Sequence, residues 1–324
     1  MSTSASDVLL EGDQLDATNE GVAEIAARSP LELFWRRLRR DKVALVALGI
    51  IVLMIFVAIF APLIVKALGA PDPNTQNDDL LGDFGEPTGP SADHWFGVDE
   101  RGRDVFSRVL YGARISLEVA FIATFLIVLI GVTMGLLAGY YRGWADTALS
   151  RVMDLFLAFP VLVLAVGLGV ACADGCLGGA IQPGLPVVIF VIVLTTWPYM
   201  ARIVRGQVLS LREREFVEAS RSLGARDRRI IFREILPNLI APIIVYATVL
   251  IPQNIIYEAA LSFLGVGVDP SKPSWGAMIS DATSIFQDAW WFMLFPGIAL
   301  LITVLAFNIV GDGLQDALNP RTSK

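Results

Sequence analysis

Residues 213–238 read EREFVEASRSLGARDRRIIFREILPN, a strongly charged run set between two almost purely apolar stretches. At helical spacing Phe216, Ala219, Ser220 and Leu223 form a small, smooth face, and Ile230, Ile231 and Ile235 begin a second apolar face ahead of Pro237. Gly224 stands between them, so the pattern predicts two short helices joined at a glycine free to take a positive φ. Pro237 is expected to end the second helix and start the next element. Small residues let another surface come close, which gives the hairpin the form of a docking element.

The rest of the chain is built for lipid. Hydrophobic residues make up 55% and charged residues 18%, against roughly 25% charged in soluble domains, and the mean hydropathy is +0.62. A helix crossing a hydrocarbon core of about 30 Å needs about 20 apolar residues. Six segments qualify: 43–65, 116–140, 155–173, 185–201, 239–256 and 291–310. The alternating pattern of a membrane barrel is absent, so the expected fold class is all-α, a polytopic membrane protein with six transmembrane helices. With the amino terminus inside, nineteen of the 25 lysines and arginines fall on one side, including all nine arginines from Arg202 to Arg233. Basic residues mark the cytoplasmic face, so the hairpin and both termini are expected there.

The net charge of -7 is largely a property of the amino-terminal tail and of the outer loop. Residues 1–28 are expected to be a disordered acidic cytoplasmic tail. Residues 29–66 hold a helix start at Ser29, Pro30 and Glu32, followed by the first span. Leu31, Phe34, Trp35 and Leu38 share one face of that leading helix, which suits either a helix lying along the membrane surface or a plain juxtamembrane anchor. Residues 67–112 form an extracellular segment, 113–312 a core of five spans with the charged loop 205–238, and 313–324 a cytoplasmic tail. No span carries an ionisable residue near its middle; Glu118, Asp154 and Glu258 lie near the ends. That disfavours ion-coupled transport. None of the four lysines follows a glycine, so the chain has no phosphate-binding P-loop and energy for uphill movement has to come from a separate ATPase.

The hairpin resembles the EAA loop of ABC importer permeases: Glu218, Ala219, Ser220, Gly224, Leu236 and Pro237 stand at matching spacing. Ser220 replaces the second alanine, and Glu234 occupies a position where isoleucine is usual, with Ile235 beside it. A second stretch, HWFGVDERGRD at 94–104 followed by Ser107, Arg108 and YGARISL at 111–117, resembles the segment before the second span in dipeptide and oligopeptide importer permeases, specifically the second, C-type permease subunit. Gly97, Asp99, Gly102, Arg103, Asp104 and Arg114 carry that motif, and Val98 replaces the usual threonine. The resemblance covers roughly residues 30–320. It implies the type I ABC importer permease fold, in which this chain pairs with a homologous second permease, two ABC ATPases beneath and an extracellular substrate-binding protein. The chain itself needs no cofactor; ATP and Mg²⁺ belong to the ATPase subunits. Transport by alternating access is implied, with Glu215, Phe216, Glu218, Ala219, Ser220, Leu223 and Ala225 at the ATPase contact, Gly224 as the bend, and Leu236 and Pro237 as the joint to the fifth span. Arg221, Arg226, Arg228, Arg229 and Arg233 pair either with acidic ATPase residues or with lipid headgroups.

Other features are secondary. Gly131, Gly135 and Gly139 recur every four residues in the second span, a spacing for close helix packing more than for substrate passage. Pro160, Pro198, Pro242 and Pro252 can kink spans. Cys172 and Cys176 fall at the expected outer end of the third span, where they are either a disulfide or two free thiols. His94 is the single histidine, which excludes histidine-pair metal motifs and points to a hydrogen-bonding role in the loop. A membrane-embedded enzyme would need a nucleophile and base or a ligand cluster within the spans, and only scattered hydroxyl and amide residues, Asn254 and Asn308 among them, are present. A stand-alone channel or scaffold has no use for an ATPase-shaped hairpin. Substrate is open between dipeptides, longer peptides, glutathione and nickel chelates.

Overall fold

The computed structural model describes residue 39 and residues 41–83, 85–266 and 271–318. The acidic tail, the helix expected from Ser29 and the last residues of the chain lie outside them. Nine α-helices form among the described residues. The first, α1 (Lys42–Ala67), is capped by Asp41, whose side chain accepts from the amides of Val43 and Ala44. Its sidedness follows size and not polarity. Ala44, Ala47, Ala58 and Ala61 turn inward together with Ile51 and Val65, while Val46, Leu53, Phe56 and Leu63 face out, an enrichment in small residues that allows close packing in lipid.

The long helix α2 (Val105–Tyr141) is the centre of the bundle. It packs most extensively on α5 (Leu185–Leu211), and the glycine repeat is the reason. A Cβ at Gly131 would stand 2.6 Å from Met200 Cβ, at Gly135 2.6 Å from the Ala201 carbonyl oxygen, and at Gly139 2.7 Å from Val208 Cβ. All three glycines therefore serve the packing of α2 on α5. On its other faces α2 meets α1, α7 (Asp227–Phe263) and α9 (Trp290–Leu318). The short α8 (Trp275–Ala282) closes the outer end, where the Trp275 indole donates to the Val109 carbonyl at 3.0 Å.

Three expectations need correction. The third span, expected as one helix over 155–173, is broken: α3 (Gly143–Leu157) and α4 (Val161–Ala171) meet at 87° across Pro160. Pro160 has no amide proton to extend α3, and the residue before a proline avoids helical geometry. The fold thus has five unbroken spanning helices and a sixth, bent segment. Nor does Pro237 end a helix. α7 runs through it to Phe263, and a π-turn at Ile230–Ile235 ahead of Pro237 widens the helix so that the Leu236 amide donates to the Ile231 carbonyl. The final helix also continues to Leu318, beyond 312 where the core was expected to end.

The glycine seam is testable. Gly135→Val forces atoms against an α5 backbone oxygen and should cost about 1–3 kcal/mol, lowering the detergent melting temperature. Gly167→Ala, where an added Cβ meets nothing within 4 Å, should leave it unchanged. Equal melting temperatures for the two variants would contradict the packing role.

Candidate functional site: an exposed elbow and a folded cap

The charged run folds as an elbow. Its first arm is α6 (Glu215–Ser222), with Glu215 and Glu218 in the first turn, where carboxylates favour the helix N-terminus. Gly224, at φ +77°, ends it: the Gly224 amide donates to the Arg221 carbonyl and the Ala225 amide to the Ser220 carbonyl. The second arm is the start of α7, so the elbow has one free helix and one that is continuous with a span. Val217, unremarked in sequence, anchors α6 by full burial, and Ile230, Ile231 and Ile235 anchor the second arm. That leaves Glu215, Phe216, Glu218, Ala219 and Leu223 exposed, with Leu223 88% accessible. Ser220 and Ala225 are half-buried, as is Leu236, and Pro237 lies at the surface. The expected small face is thus present but narrower, because Ser220 turns partly towards the anchor.

Polar contacts brace the elbow's base. Arg142, between α2 and α3, pairs with Glu213, and this guanidinium hydrogen bond holds the Glu213 carboxyl below its ordinary value. Arg205 on α5 grips Asp146 on α3, with Nη2 to Oδ2 at 2.9 Å, and Arg202 reaches Asp154 at 2.7 Å. The Arg202–Asp154 pair is exposed and the Arg205–Asp146 pair half-buried, and such solvent-screened pairs orient the base more than they stabilise it. Tyr140 at the end of α2 donates to Asp227 at 2.7 Å. Arg226, Arg228, Arg229 and Arg233 make no ion pair with the described residues.

At the opposite end of the bundle, the motif before α2 builds a cap. Asp99 is fully buried and accepts from the amides of Arg101 and Arg103 at 2.9 Å each, and from Arg103 Nε at 2.7 Å. Arg108 Nε lies 3.5 Å from the same carboxylate, and its Nη1 donates to the Pro73 carbonyl. Asp104 caps α2 through the Ser107 amide and meets His94 Nδ1 at 3.0 Å. Gly97 and Gly102 both adopt positive φ. A side chain at Gly97 would collide with the Trp291 indole and one at Gly102 with the Asn77 backbone. Arg114 stays apart: it is exposed in a groove with Ile55, Leu117 and Glu118, a turn and a half further along α2 than Arg108. Arg108 stands in the stretch that carries the resemblance, and its burial beside Asp99 gives it a part in the cap that the spacing alone does not assign. Cys172 and Cys176 are joined as a disulfide with Cα atoms 5.0 Å apart, closing the turn after α4.

A buried carboxyl also joins α2 and α7. Glu258 is fully buried and accepts from Ser116 Oγ at 2.9 Å and Ser262 Oγ at 2.8 Å. In sequence it sits near the end of an expected span; α7 continues past it, and that places it inside the bundle.

Residues 131–324 match the family of binding-protein-dependent transport system inner membrane components, and residues 29–83 match the N-terminal transmembrane domain of oligopeptide transport permease C. The chain belongs to this family of ABC importer permeases. The elbow lies within the first match, and the cap motif 94–117 lies between the two. The dipeptide transport system permease protein DppC of Alkalihalophilus pseudofirmus is 43% identical over 92% of both chains. A glutathione transport system permease protein, GsiD of Pectobacterium atrosepticum, is 40% identical over 94% of this chain and 96% of its own. Among solved structures, an inward-facing MetNI methionine ABC transporter aligns over 65% of this chain and 96% of its own with a TM-score of 0.55 at 22% identity, a likeness of fold. The permease is therefore a multi-pass inner-membrane protein of the C type.

Asp99→Ala in this permease would leave the guanidiniums of Arg103 and Arg108, 4% and 2% exposed, without their buried counter-charge. Removing one partner of such a group costs about 3–5 kcal/mol. Protease cleavage within 72–104 should accelerate and the melting temperature should fall; a variant as resistant as the wild type would contradict the account of the cap.

Proposed function

We propose that this permease imports di- and oligopeptides, moving them by alternating access powered by separate ATPases. The observation that carries the reading is the form of the elbow, an exposed small-faced helix whose second arm is one continuous helix with a spanning segment. A partner holding Phe216, Ala219 and Leu223 pushes directly on α7, since the joint at Gly224 is short and the arm beyond it does not end at Pro237. Two ABC ATPases, which bind ATP and Mg²⁺, take the elbows of this chain and of a homologous second permease. Their closure swings the two halves so that a central path changes the side to which it opens. The chain itself hydrolyses nothing. An extracellular binding protein delivers the substrate to the outer end, where the cap stands ready-folded on Asp99. In this arrangement the elbow and both termini are cytoplasmic, and the distribution of lysine and arginine supports that orientation.

The peptide assignment draws on the 43% identical dipeptide permease. Glutathione, itself a tripeptide, is the second reading and is favoured by the glutathione permease relative. Reconstituting the permease with its second permease, ATPases and binding protein in liposomes decides between them. ATP-dependent accumulation of a labelled dipeptide, unaffected by excess glutathione, is expected. Glutathione uptake without dipeptide uptake would overturn the substrate class, and no nucleotide-dependent uptake of either would overturn the function. In the same system Gly224→Pro, which imposes a φ near -65° where the chain needs a positive one, should insert normally yet hydrolyse ATP without uptake. Normal uptake in that variant would contradict the role of the bend.

A further inference from the structure

The cytoplasmic-side halves of α2 and α7 are separated by an apolar groove of about 620 Å³. From α2 it is lined by residues between Phe125 and Tyr141, and from α7 by Ile231, Phe232 and Ile243. Above it the two helices are tied by buried polar bonds, Ser116 to Glu258 at 2.9 Å and Asn254 Nδ2 to Thr124 Oγ1 at 2.9 Å. Below it they are tied by the Tyr140 hydroxyl, which donates to Asp227 Oδ1 at 2.7 Å. The pair is therefore a frame, fixed at both ends and open in the middle. Force on the base of α7 reaches α2 through its lower tie.

We propose that Tyr140 is a positioning residue that passes movement of the elbow to α2 as well as α7, resting on the reading above that ATPases drive the elbow. Tyr140 is 4% exposed, and its ring sits under the Arg212 guanidinium, 5.7 Å from the ring centroid. Arg212 also donates to the Tyr140 carbonyl. Arg221 on α6 lies within electrostatic reach of the hydroxyl. One side chain thus meets Arg212, which follows α5, together with a residue of the elbow's first arm and one of its second arm. Asp227, the single acid between Arg221 and Arg233, is the first residue of α7. It moves with that helix, and a bond to a carboxylate is among the stronger hydrogen bonds a hydroxyl makes.

Tyr140→Phe keeps the ring, its packing and the Arg212 contact and removes only the donor. In the reconstituted complex it should retain ATPase co-purification and ATP hydrolysis stimulated by the binding protein, while substrate imported per ATP hydrolysed falls about tenfold or more, the bias one bond to a charged acceptor can supply. Asp227→Asn, which keeps an acceptor but not its charge, should lose less than Tyr140→Phe, and Asp227→Ala should match Tyr140→Phe. The double variant Tyr140→Phe with Asp227→Ala should be no worse than either alone. A wild-type ratio in Tyr140→Phe, a fall only in step with the amount of assembled complex, or additive losses in the double variant would overturn the inference. A wild-type complex that fails to import contradicts the function proposed above instead, so the two failures are separable.

Discussion

The close approach of α2 and α5 through Gly131, Gly135 and Gly139 holds the rest in place. With backbone against side-chain stem at about van der Waals contact, the two helices share the bilayer as one body. Everything of functional interest hangs from their ends. The last residues of α5 lead into the elbow's first arm, the end of α2 and the residue after it present Tyr140 and Arg142 to the elbow, and the start of α2 with its capping Asp104 carries Arg108 into the outer cap. In lipid there is no general hydrophobic drive between apolar helices, so a seam of small residues fixes positions that a soluble protein would fix by burying leucines.

Span number, fold class and the existence of an exposed elbow were legible because they rest on local quantities: apolar length, charge and a glycine between two short periodic faces. Gly224 does what its place in the sequence suggests, taking a positive φ after α6. That Pro160 can kink its span holds, although the 87° bend is sharp enough to split the helix expected over 155–173, whereas the expectation that Pro237 ends a helix does not hold. Pro160 breaks what looked like a continuous span, and Pro237 interrupts nothing, because a π-turn absorbs the missing amide. Whether a proline breaks or is accommodated depends on neighbouring helices that supply alternative partners, which no local window contains.

The polar ties were beyond reach for a plainer reason. Ser116 meets Glu258 across 142 residues, Thr124 meets Asn254 across 130 and Tyr140 meets Asp227 across 87. Each residue alone looks ordinary, at the edge of an apolar run or within a charged loop. Only the packing of α2 along α7 makes them pairs. Val217 illustrates the same point within the elbow: one apolar residue among charges decides which face of α6 is anchored, and hence that Phe216, Ala219 and Leu223 are left for a partner.

The central claim is that α6 meets an ATPase on the cytoplasmic side. Leu223→Cys, labelled with a membrane-impermeant thiol reagent, tests it most directly, since that side chain is almost fully exposed and the native Cys172 and Cys176 are joined to each other. Labelling in inverted vesicles, absent from right-side-out cells and suppressed when the ATPase subunits are co-expressed, is the predicted result. Labelling from outside the cell, or labelling indifferent to the ATPases, would contradict it.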